Sequence, residues 1–295
     1  MDVHLIDGTY ELFRHYYAVP PRKDADGQEV GAMLGVMNSV LGMLRGGATH
    51  IGVATDHIIE SFRNTMYPGY KTGEGIDPAL WRQFHPMEDA LRAMGVVVWA
   101  MVDQEADDAL AAAATRAAAD KNVNRIFICT PDKDLAQCVK GKRVVQLDRR
   151  SNTVRDEDGV REKFGVDPES IPDYLALVGD SADGFPGISG FGPKTAATLL
   201  ARYRHLEQIP PAAAQWEVGL RNAATLSATL RKSWNDALLF RDLATLRTDA
   251  NVFETVDDLK WRAPAVDFAV LCETLGAPDT ARTATELAKT RERVG

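Results

Sequence analysis

The stretch Glu105-Ala106-Asp107-Asp108 places three acidic side chains within four residues, directly before the alanine-rich run Ala109 to Ala119. Alanine is the strongest helix former, so this run predicts a helix with an acidic first turn. Acidic side chains suit a first turn because they accept hydrogen bonds from unpaired N–H groups and oppose the positive end of the helix dipole. Three adjacent carboxylates also repel one another, and a bound cation would relieve that repulsion. From this stretch alone, a helix start and a metal site are equally good interpretations.

The chain has 295 residues, of which 45% are hydrophobic and 26% are charged, so it is long enough for one large domain or two modest ones. Its net charge of −8 argues against a basic protein that coats nucleic acid. Carboxylates that bind cations contribute to that charge, so the charge does not exclude a nucleic-acid substrate.

The sequence predicts a cytoplasmic protein without a membrane span. No apolar run reaches the length that crosses a bilayer, and no basic leader precedes the first predicted strand. The three cysteines, Cys129, Cys138 and Cys272, form no C-x-x-C pair and are predicted to be reduced thiols instead of zinc ligands.

Moving outward from the acidic stretch, short β-branched runs alternate with helical patterns through the first half of the chain. This alternation predicts a parallel sheet flanked by helices. The predicted strands are Val3 to Ile6, Ile51 to Thr55, Val96 to Met101, Arg125 to Cys129 and Val144 to Leu147. The predicted helices are Tyr10 to Tyr17, Gly31 to Leu44, Trp81 to Met94, Ala109 to Ala119 and Lys133 to Val139.

Acidic residues follow four of these strands. Asp7 and Asp56 come directly after the first two, the third leads to the Glu105 stretch, and the fourth leads to Asp132 and Asp134. Ligands of open α/β sheets bind outside the carboxyl ends of the strands. Because one acid after a strand is usually a cap or a turn residue, only the repetition predicts a shared carboxylate site.

The second half, from about Asp158, predicts helices joined by turns, with further helices from Arg262 to a frayed end at Gly295. Within it, the segment Gly184 to Thr195 holds four glycines between two helices and ends in Lys194-Thr195. Such a turn exposes backbone N–H groups that can hold a phosphodiester backbone, and a tight structural turn is the alternative. A P-loop fits poorly, because Pro193 displaces the glycine before the lysine and a helix, not a strand, precedes the turn.

Together these motifs resemble the 5′-nuclease, or flap endonuclease, family, which includes the N-terminal nuclease domain of bacterial DNA polymerase I and free-standing bacterial and phage relatives. The matching pieces occur in family order along nearly the whole chain: Ile6-Asp7-Gly8, Ser61-Phe62-Arg63, Gly69-Tyr70-Lys71, Glu105-Ala106-Asp107-Asp108, Thr130-Pro131-Asp132-Lys133-Asp134, Gly179-Asp180-Ser181-Ala182-Asp183 and Gly190-Phe191-Gly192-Pro193-Lys194-Thr195-Ala196.

The resemblance implies an α/β fold, in which a PIN-like, mostly parallel sheet is flanked by helices. A C-terminal helical module would contain a helix–three-turn–helix, or helix-hairpin-helix-like, DNA-binding element. We expect the nuclease core in residues 1–155 and the helical module in residues 156–295, with the glycine-rich hairpin at 184–196.

The implied activity is divalent-metal-dependent hydrolysis of phosphodiesters at DNA 5′ ends and 5′ flaps in replication and repair. Two or more Mg²⁺ or Mn²⁺ ions are expected, because a site of oxygen donors alone suits these ions better than zinc, and a K⁺ ion is expected at the hairpin. The implied metal ligands are Asp7, Asp56, Glu105, Asp107, Asp108, Asp132, Asp134, Asp180 and Asp183.

The resemblance further implies catalytic roles for Lys71, Arg63, Asp107 and Asp132. The implied DNA-binding residues are Arg14, Arg63, Tyr70, Lys71, Gly190, Gly192, Lys194 and Thr195. For Tyr70, burial in the core is an equally good interpretation. The expected partners are DNA with 5′ ends, nicks or flaps, RNA–DNA hybrids, and a DNA polymerase and a ligase acting with a monomeric enzyme.

Two positions depart from the family pattern. Glu74 replaces a basic residue, which weakens the expected grip on a DNA phosphate, and Gly184 replaces an asparagine, which is expected to change a turn and little else. Two alternatives stay open: a structure-specific DNA-binding paralogue with weak or lost catalysis, and a PIN-type ribonuclease.

Overall fold

The computed structural model describes residues 1–293, and they form two compact units that are discontinuous in sequence. The first unit comprises Met1–Ile59, Gly73–Thr130 and the described residues from Thr248 onward, and the second comprises Glu60–Thr72 and Pro131–Arg247. The expected domain boundary between residues 155 and 156 stays a prediction. Val294 and Gly295, in the predicted frayed end, lie outside the described residues.

Four parallel strands form the sheet of the first unit: β1 (Asp2–Asp7), β2 (His50–Asp56), β3 (Val97–Met101) and β4 (Arg125–Cys129). β1 pairs with β2 and β4, and β2 also pairs with β3, which gives the order β3-β2-β1-β4. Consecutive residues, such as Leu5 and Ile6 of β1 and Val53 and Ala54 of β2, are fully buried because helices cover both faces of a parallel sheet. In this register Asp7 lies opposite Ala54 and Asp56 lies opposite Met101, so both acids lie at the carboxyl edge.

The helices of the first unit are α1 (Gly8–Ala18), α2 (Gly31–Arg45), α4 (Pro78–Trp81), α5 (Phe84–Ala93), α6 (Ala106–Ala119), α12 (Phe268–Thr274) and α13 (Pro278–Glu292), and a 3₁₀ turn spans Val256–Leu259. The alanine-rich α6 packs across β1, β2, β3 and β4. Its buried alanines carry only a methyl group, so the helix axis approaches the sheet closely without crowding.

The second unit contains α3 (Phe62–Met66), an antiparallel pair of strands β5 (Val144–Asp148) and β6 (Thr153–Arg155), and the helices α7 (Glu157–Phe164), α8 (Ile171–Val178), α9 (Pro193–Tyr203), α10 (Ala223–Lys232) and α11 (Trp234–Ala244). Its 3₁₀ turns span Asp134–Cys138, Pro168–Ser170, Leu206–Gln208 and Ala213–Gln215. Leu177, Phe185, Leu199 and Phe240 are among the side chains of its hydrophobic core.

The predicted fold class, mostly parallel strands flanked by helices with a helical module after them, is confirmed. All five predicted strands are present, each within one residue of its predicted start and end. The predicted helix from Trp81 to Met94 is wrong at its start, because α4 and α5 are separate helices. Between them, the buried Gln83 accepts a hydrogen bond from Met33 N at 3.0 Å and donates one to Ala79 O at 3.0 Å.

The predicted helix from Lys133 to Val139 is a 3₁₀ turn that spans Asp134–Cys138. The Asp132 carboxylate accepts the backbone N–H of Asp134 at 3.0 Å, a local side-chain bond of the kind that competes with regular helix formation.

Candidate active site

Asp7 joins the sheet of the first unit to its first helix. It is the last residue of β1 and caps α1, because its Oδ1 accepts the N–H of Tyr10 at 2.8 Å. Its Oδ2 accepts the hydroxyl of Thr130, which directly follows β4, at 3.0 Å. The carboxylate is only 6% exposed, so these bonds hold it in one orientation at the edge of the sheet.

Asp56 connects the next strand end to the acidic stretch. Its Oδ1 accepts the backbone N–H of Ala106, the first residue of α6, at 2.8 Å. The start of α6 is a capping box, in which Asp108 Oδ2 accepts the N–H of Glu105 at 3.0 Å. Glu105 and Asp108 are buried and Asp107 is half-buried. The helix-start interpretation of this stretch is therefore confirmed, and the carboxylates still lie at the predicted edge of the sheet.

The second unit contains a separate group of buried carboxylates, which we call the aspartate triad: Asp134, Asp180 and Asp183. One oxygen from each lies within 4.8 Å of the others, and their exposed fractions are 5%, 4% and 7%. The Oδ1 atom of Asp134 is buried and has no hydrogen-bond partner among residues 1–293. Buried polar atoms are nearly always satisfied, so this oxygen is a good candidate to bind a cation.

The pKa of Asp134 also favours a bound cation at the triad. Burial raises the pKa of Asp134 well above its ordinary value, and the neighbouring charges of Asp132, Asp183 and Asp180 raise it further. A divalent cation would reverse both effects, because it binds the ionised form and neutralises the neighbouring charges. The donor set consists of oxygen atoms alone, which suits a hard divalent cation.

Two ammonium groups partly neutralise the triad. Lys71 Nζ lies 3.1 Å from Asp183 Oδ1, and Lys133 Nζ lies 2.5 Å from Asp180 Oδ2. Burial by itself would lower the pKa of Lys133, but its hydrogen bond to Asp180 and the charges of Asp180, Asp134 and Asp132 outweigh burial and raise the pKa. Lys133 has no predicted role from the sequence motifs. Its position between Asp132 and Asp134 was the signal that could have identified it.

Arg63 and Tyr70 lie inside the second unit. Arg63 is 1% exposed, and its guanidinium donates to Leu243 O at 2.8 Å and to Thr245 O at 3.2 Å. Tyr70 is 3% exposed and belongs to the hydrophobic core of this unit. Their catalytic and DNA-binding roles stay predictions, and for both residues the geometry favours a structural role. For Tyr70 this was the alternative interpretation of the sequence.

The structure gives a steric reason for glycine at position 184. Its φ is +89°, and a Cβ at this position would lie 2.1 Å from the carbonyl oxygen of Gly69. The neighbouring backbone is held by a hydrogen bond from Lys71 N to Asp183 O at 3.0 Å. A glycine at position 184 therefore lets the Gly69 to Lys71 segment approach the triad closely, which is more than the simple change of turn that the sequence predicts.

The glycine-rich hairpin precedes α9 in the second unit. Gly187 and Gly190 have φ values of +71° and +88°, and a Cβ on Gly187 would lie 2.4 Å from Gly179 N. Gly192 is the N-cap of α9, Lys194 is exposed and Thr195 is half-buried. The hairpin thus combines a tight turn with an exposed helix start, although DNA binding by these residues stays a prediction.

Arg14 lies on α1 in the first unit, with its guanidinium NH2 group 2.5 Å from the carboxylate of Glu11. Glu11 is 1% exposed, and the sequence reasoning did not select it. An acidic residue in the first turn of a helix is so common that its burial cannot be inferred from the sequence.

Two family models match consecutive parts of the chain: the 5′-3′ exonuclease N-terminal resolvase-like domain over residues 2–165 and the 5′-3′ exonuclease C-terminal SAM fold over residues 166–267. The chain belongs to the 5′-3′ exonuclease family. A relative named 5′-3′ exonuclease, from Buchnera aphidicola, is 34% identical over 269 residues, which cover 88% of this chain and 86% of the relative.

DNA polymerase I of Pseudomonas aeruginosa is 35% identical to this exonuclease-family chain over 266 residues. The match covers 86% of this chain, which spans 28% of the length of the polymerase. A solved complex of bacteriophage T5 flap endonuclease with DNA and metal ions has the same fold, with a TM-score of 0.67 at 15% identity, covering 98% of this chain and all of the other. The predicted family and the predicted class of enzyme, a nuclease, are confirmed.

Within residues 1–293, no helix combines the length and the apolar character that a membrane crossing requires. The cytoplasmic location stays a prediction.

Proposed function

We propose that this chain is a divalent-metal-dependent 5′-nuclease that hydrolyses phosphodiester bonds at DNA 5′ ends and 5′ flaps. The observation that carries the proposal is the buried aspartate triad, whose Asp134 Oδ1 has no hydrogen-bond partner among the described residues, in a chain that belongs to the 5′-3′ exonuclease family. The relatives support the substrate, since one is named a 5′-3′ exonuclease and another is a flap endonuclease in complex with DNA and metal ions.

Magnesium or manganese is the proposed cofactor, because all candidate ligands are carboxylates and none is a cysteine or a histidine. We assign Asp7, Asp107, Asp108 and Asp132 as direct ligands and the aspartate triad as direct or water-mediated ligands, while Asp56 and Glu105 take either position. In a two-metal mechanism, the bound cations supply a hydroxide nucleophile at neutral pH and stabilise charge on the leaving oxygen.

The protein itself orients these carboxylates and binds the substrate. The bonds from Tyr10 N and Thr130 to Asp7, and from Ala106 N to Asp56, hold the first-unit carboxylates in place. Lys71, whose side chain is 28% exposed, carries a compact positive charge that suits a phosphate oxygen of the substrate. The buried Arg63 would act by holding α3 to the end of α11 through the carbonyl groups of Leu243 and Thr245.

The glycine-rich hairpin is the proposed contact for the phosphodiester backbone of duplex DNA. Its exposed Lys194 and the N–H groups at the start of α9 offer charge and hydrogen bonds without reading base sequence. We also propose a K⁺ ion at this hairpin, and a DNA polymerase and a ligase as partners that make and seal the nicks. RNA primers annealed to DNA are a further proposed substrate.

The test is a cleavage assay with labelled flap, nicked, single-stranded and RNA–DNA substrates in magnesium, manganese or excess chelator. We expect metal-dependent cleavage of the flap and nicked substrates. Asp107→Ala and Asp132→Ala should abolish it while DNA binding persists. The exposed Asp236→Ala, a matched control on α11, should leave the rate unchanged.

Three outcomes would overturn the proposal. Turnover that persists in excess chelator would refute the metal mechanism. Structure-specific DNA binding without turnover in either metal would favour the non-catalytic alternative. Cleavage of single-stranded RNA in preference to the flap would favour the PIN-type ribonuclease.

A further inference from the structure

Three neighbouring side chains on α1 form a network that the proposed mechanism does not use. The NH2 group of Arg14 lies 2.5 Å from Glu11 Oε2 and 3.0 Å from His15 Nε2. An arginine in a protein is always protonated and can only donate, so both neighbours accept from it. One guanidinium nitrogen therefore lies between a carboxylate oxygen and an imidazole nitrogen, and His15 Nε2 is also 3.5 Å from Glu11 Oε2.

Glu11 is the buried member of this network. It is 1% exposed, the NH2 group of Arg14 lies 2.5 Å from its Oε2, and the hydroxyl of Ser39 on α2 lies 3.4 Å from the same Oε2. Burying a carboxylate is costly unless it is paired and hydrogen-bonded. The pairing with Arg14 offsets part of this cost, and the same contact restrains the Arg14 side chain.

His15 is held from the opposite helix. A Cβ on Gly35 of α2 would lie 2.6 Å from His15 Nδ1 and 2.7 Å from its Cγ. The glycine thus allows the imidazole to pack directly against the backbone of α2, so helix packing restrains the His15 ring beside Arg14.

Arg14 remains partly accessible despite these restraints. Its side chain is 23% exposed, while its Nε is buried and has no hydrogen-bond partner within residues 1–293. A guanidinium that is anchored through one nitrogen and still reaches solvent can present its other N–H groups to a phosphate in a defined direction. An unanchored arginine would lose rotamer entropy on binding, and anchoring avoids that cost.

We propose that Glu11 is a positioning residue, which acts with His15 to hold Arg14 in the orientation that contacts a phosphate of the DNA substrate. This inference rests on the proposed function and extends it to a residue that does not itself touch the DNA. It predicts that Glu11 contributes to substrate binding only when Arg14 is present.

The test is a double-mutant cycle on KM for a flap substrate, with Glu11→Ala, Arg14→Ala and the double variant. Arg14→Ala should raise KM about tenfold or more. It should also reduce the salt slope, the steepness with which the logarithm of the DNA-binding constant falls with the logarithm of salt concentration, by the amount expected for the loss of about one phosphate contact. Glu11→Ala should raise KM about fivefold in the native background, with kcat nearly unchanged, and should have little effect in the Arg14→Ala background. Glu11→Gln keeps the shape of the side chain and one acceptor oxygen, so it should recover part of the loss.

The matched control is Asp279→Ala on α13, which removes the exposed i, i+3 partner of Arg282 at 2.6 Å and should leave KM and the salt slope unchanged. An equal effect of Glu11→Ala in both backgrounds would show a general structural role and overturn the inference. A lower KM for Glu11→Ala would also overturn it, because Glu11 would then weaken DNA binding by neutralising the charge of Arg14 instead of orienting it. Thermal unfolding of each variant distinguishes a loss of folded protein from a changed orientation of the Arg14 side chain.

Failure of this inference is distinguishable from failure of the proposed function. If native protein does not cleave the flap in either metal, the proposed function is wrong. If native protein cleaves normally and Arg14→Ala has the native KM and salt slope, only the positioning role is wrong.

Discussion

Replacing Asp134 by asparagine removes one charge from the aspartate triad while keeping the shape of the side chain. Two unit charges 4.8 Å apart interact by about 3.5 kcal/mol at an effective dielectric constant near 20. The ammonium groups of Lys71 and Lys133 cancel part of this repulsion. We therefore expect Asp134→Asn to stabilise the metal-free protein by about 1–2 kcal/mol at pH 8, a rise in Tm of about 2–6 °C.

The pH dependence has a defined sign. The folded pKa of Asp134 lies above its unfolded value, so the unfolded chain releases the proton first as the pH rises. Folding stability of the native sequence is thus penalised progressively above the ordinary carboxyl pKa, and the penalty is absent below it. The gain from Asp134→Asn should be largest at pH 8 and should nearly vanish near pH 4.

Divalent cations should act in the opposite direction. Mn²⁺ at one hundred times its Kd stabilises a protein by about 2.7 kcal/mol. If Asp134→Asn weakens Mn²⁺ binding about tenfold, the same concentration of Mn²⁺ stabilises the variant by about half of that. The assay is thermal unfolding of native protein, Asp134→Asn and the surface control Asp236→Asn, with and without Mn²⁺, at both pH values. A lower metal-free Tm for Asp134→Asn at pH 8, or an unchanged response to Mn²⁺, would refute the reasoning.

Three further predictions concern single residues. Arg63→Ala removes the guanidinium that donates to the carbonyl groups of Leu243 and Thr245, so the free energy of unfolding measured with denaturant should fall by about 3 kcal/mol or more. A fall below about 1 kcal/mol would contradict the structural role. In Gly184→Ala a Cβ would lie 2.1 Å from Gly69 O and must displace it, so both Tm and flap cleavage should fall. Gly219→Ala is the control, because a Cβ there meets no described atom within 4 Å. Burial raises the pKa of the Cys272 thiol to about 11, so a thiol-reactive disulfide at pH 8 should modify the half-buried Cys138 well before Cys272, and equal rates would contradict this burial.

Much of the fold follows from local patterns. Strand composition and the helix-forming run after Glu105 depend on neighbouring residues alone, and the strands lie where the sequence predicts them. The acids at the carboxyl ends of β1 and β2 also follow from the sequence, because parallel strands end at one edge of a sheet. The break between α4 and α5 does not, since the buried Gln83 is bonded to Met33, fifty positions earlier in the chain.

The candidate site is divided in the same way. The sequence by itself determined the family and the fold class and predicted which carboxylates are candidate ligands, because motif order and strand ends are properties of the linear chain. Only the tertiary structure decided that Arg63 and Tyr70 are buried, that Lys133 pairs with Asp180, and that Asp134 Oδ1 has no hydrogen-bond partner in the described part of the chain. Burial and ion pairing depend on which distant segments pack together, and the chemical type of a side chain is compatible with either outcome.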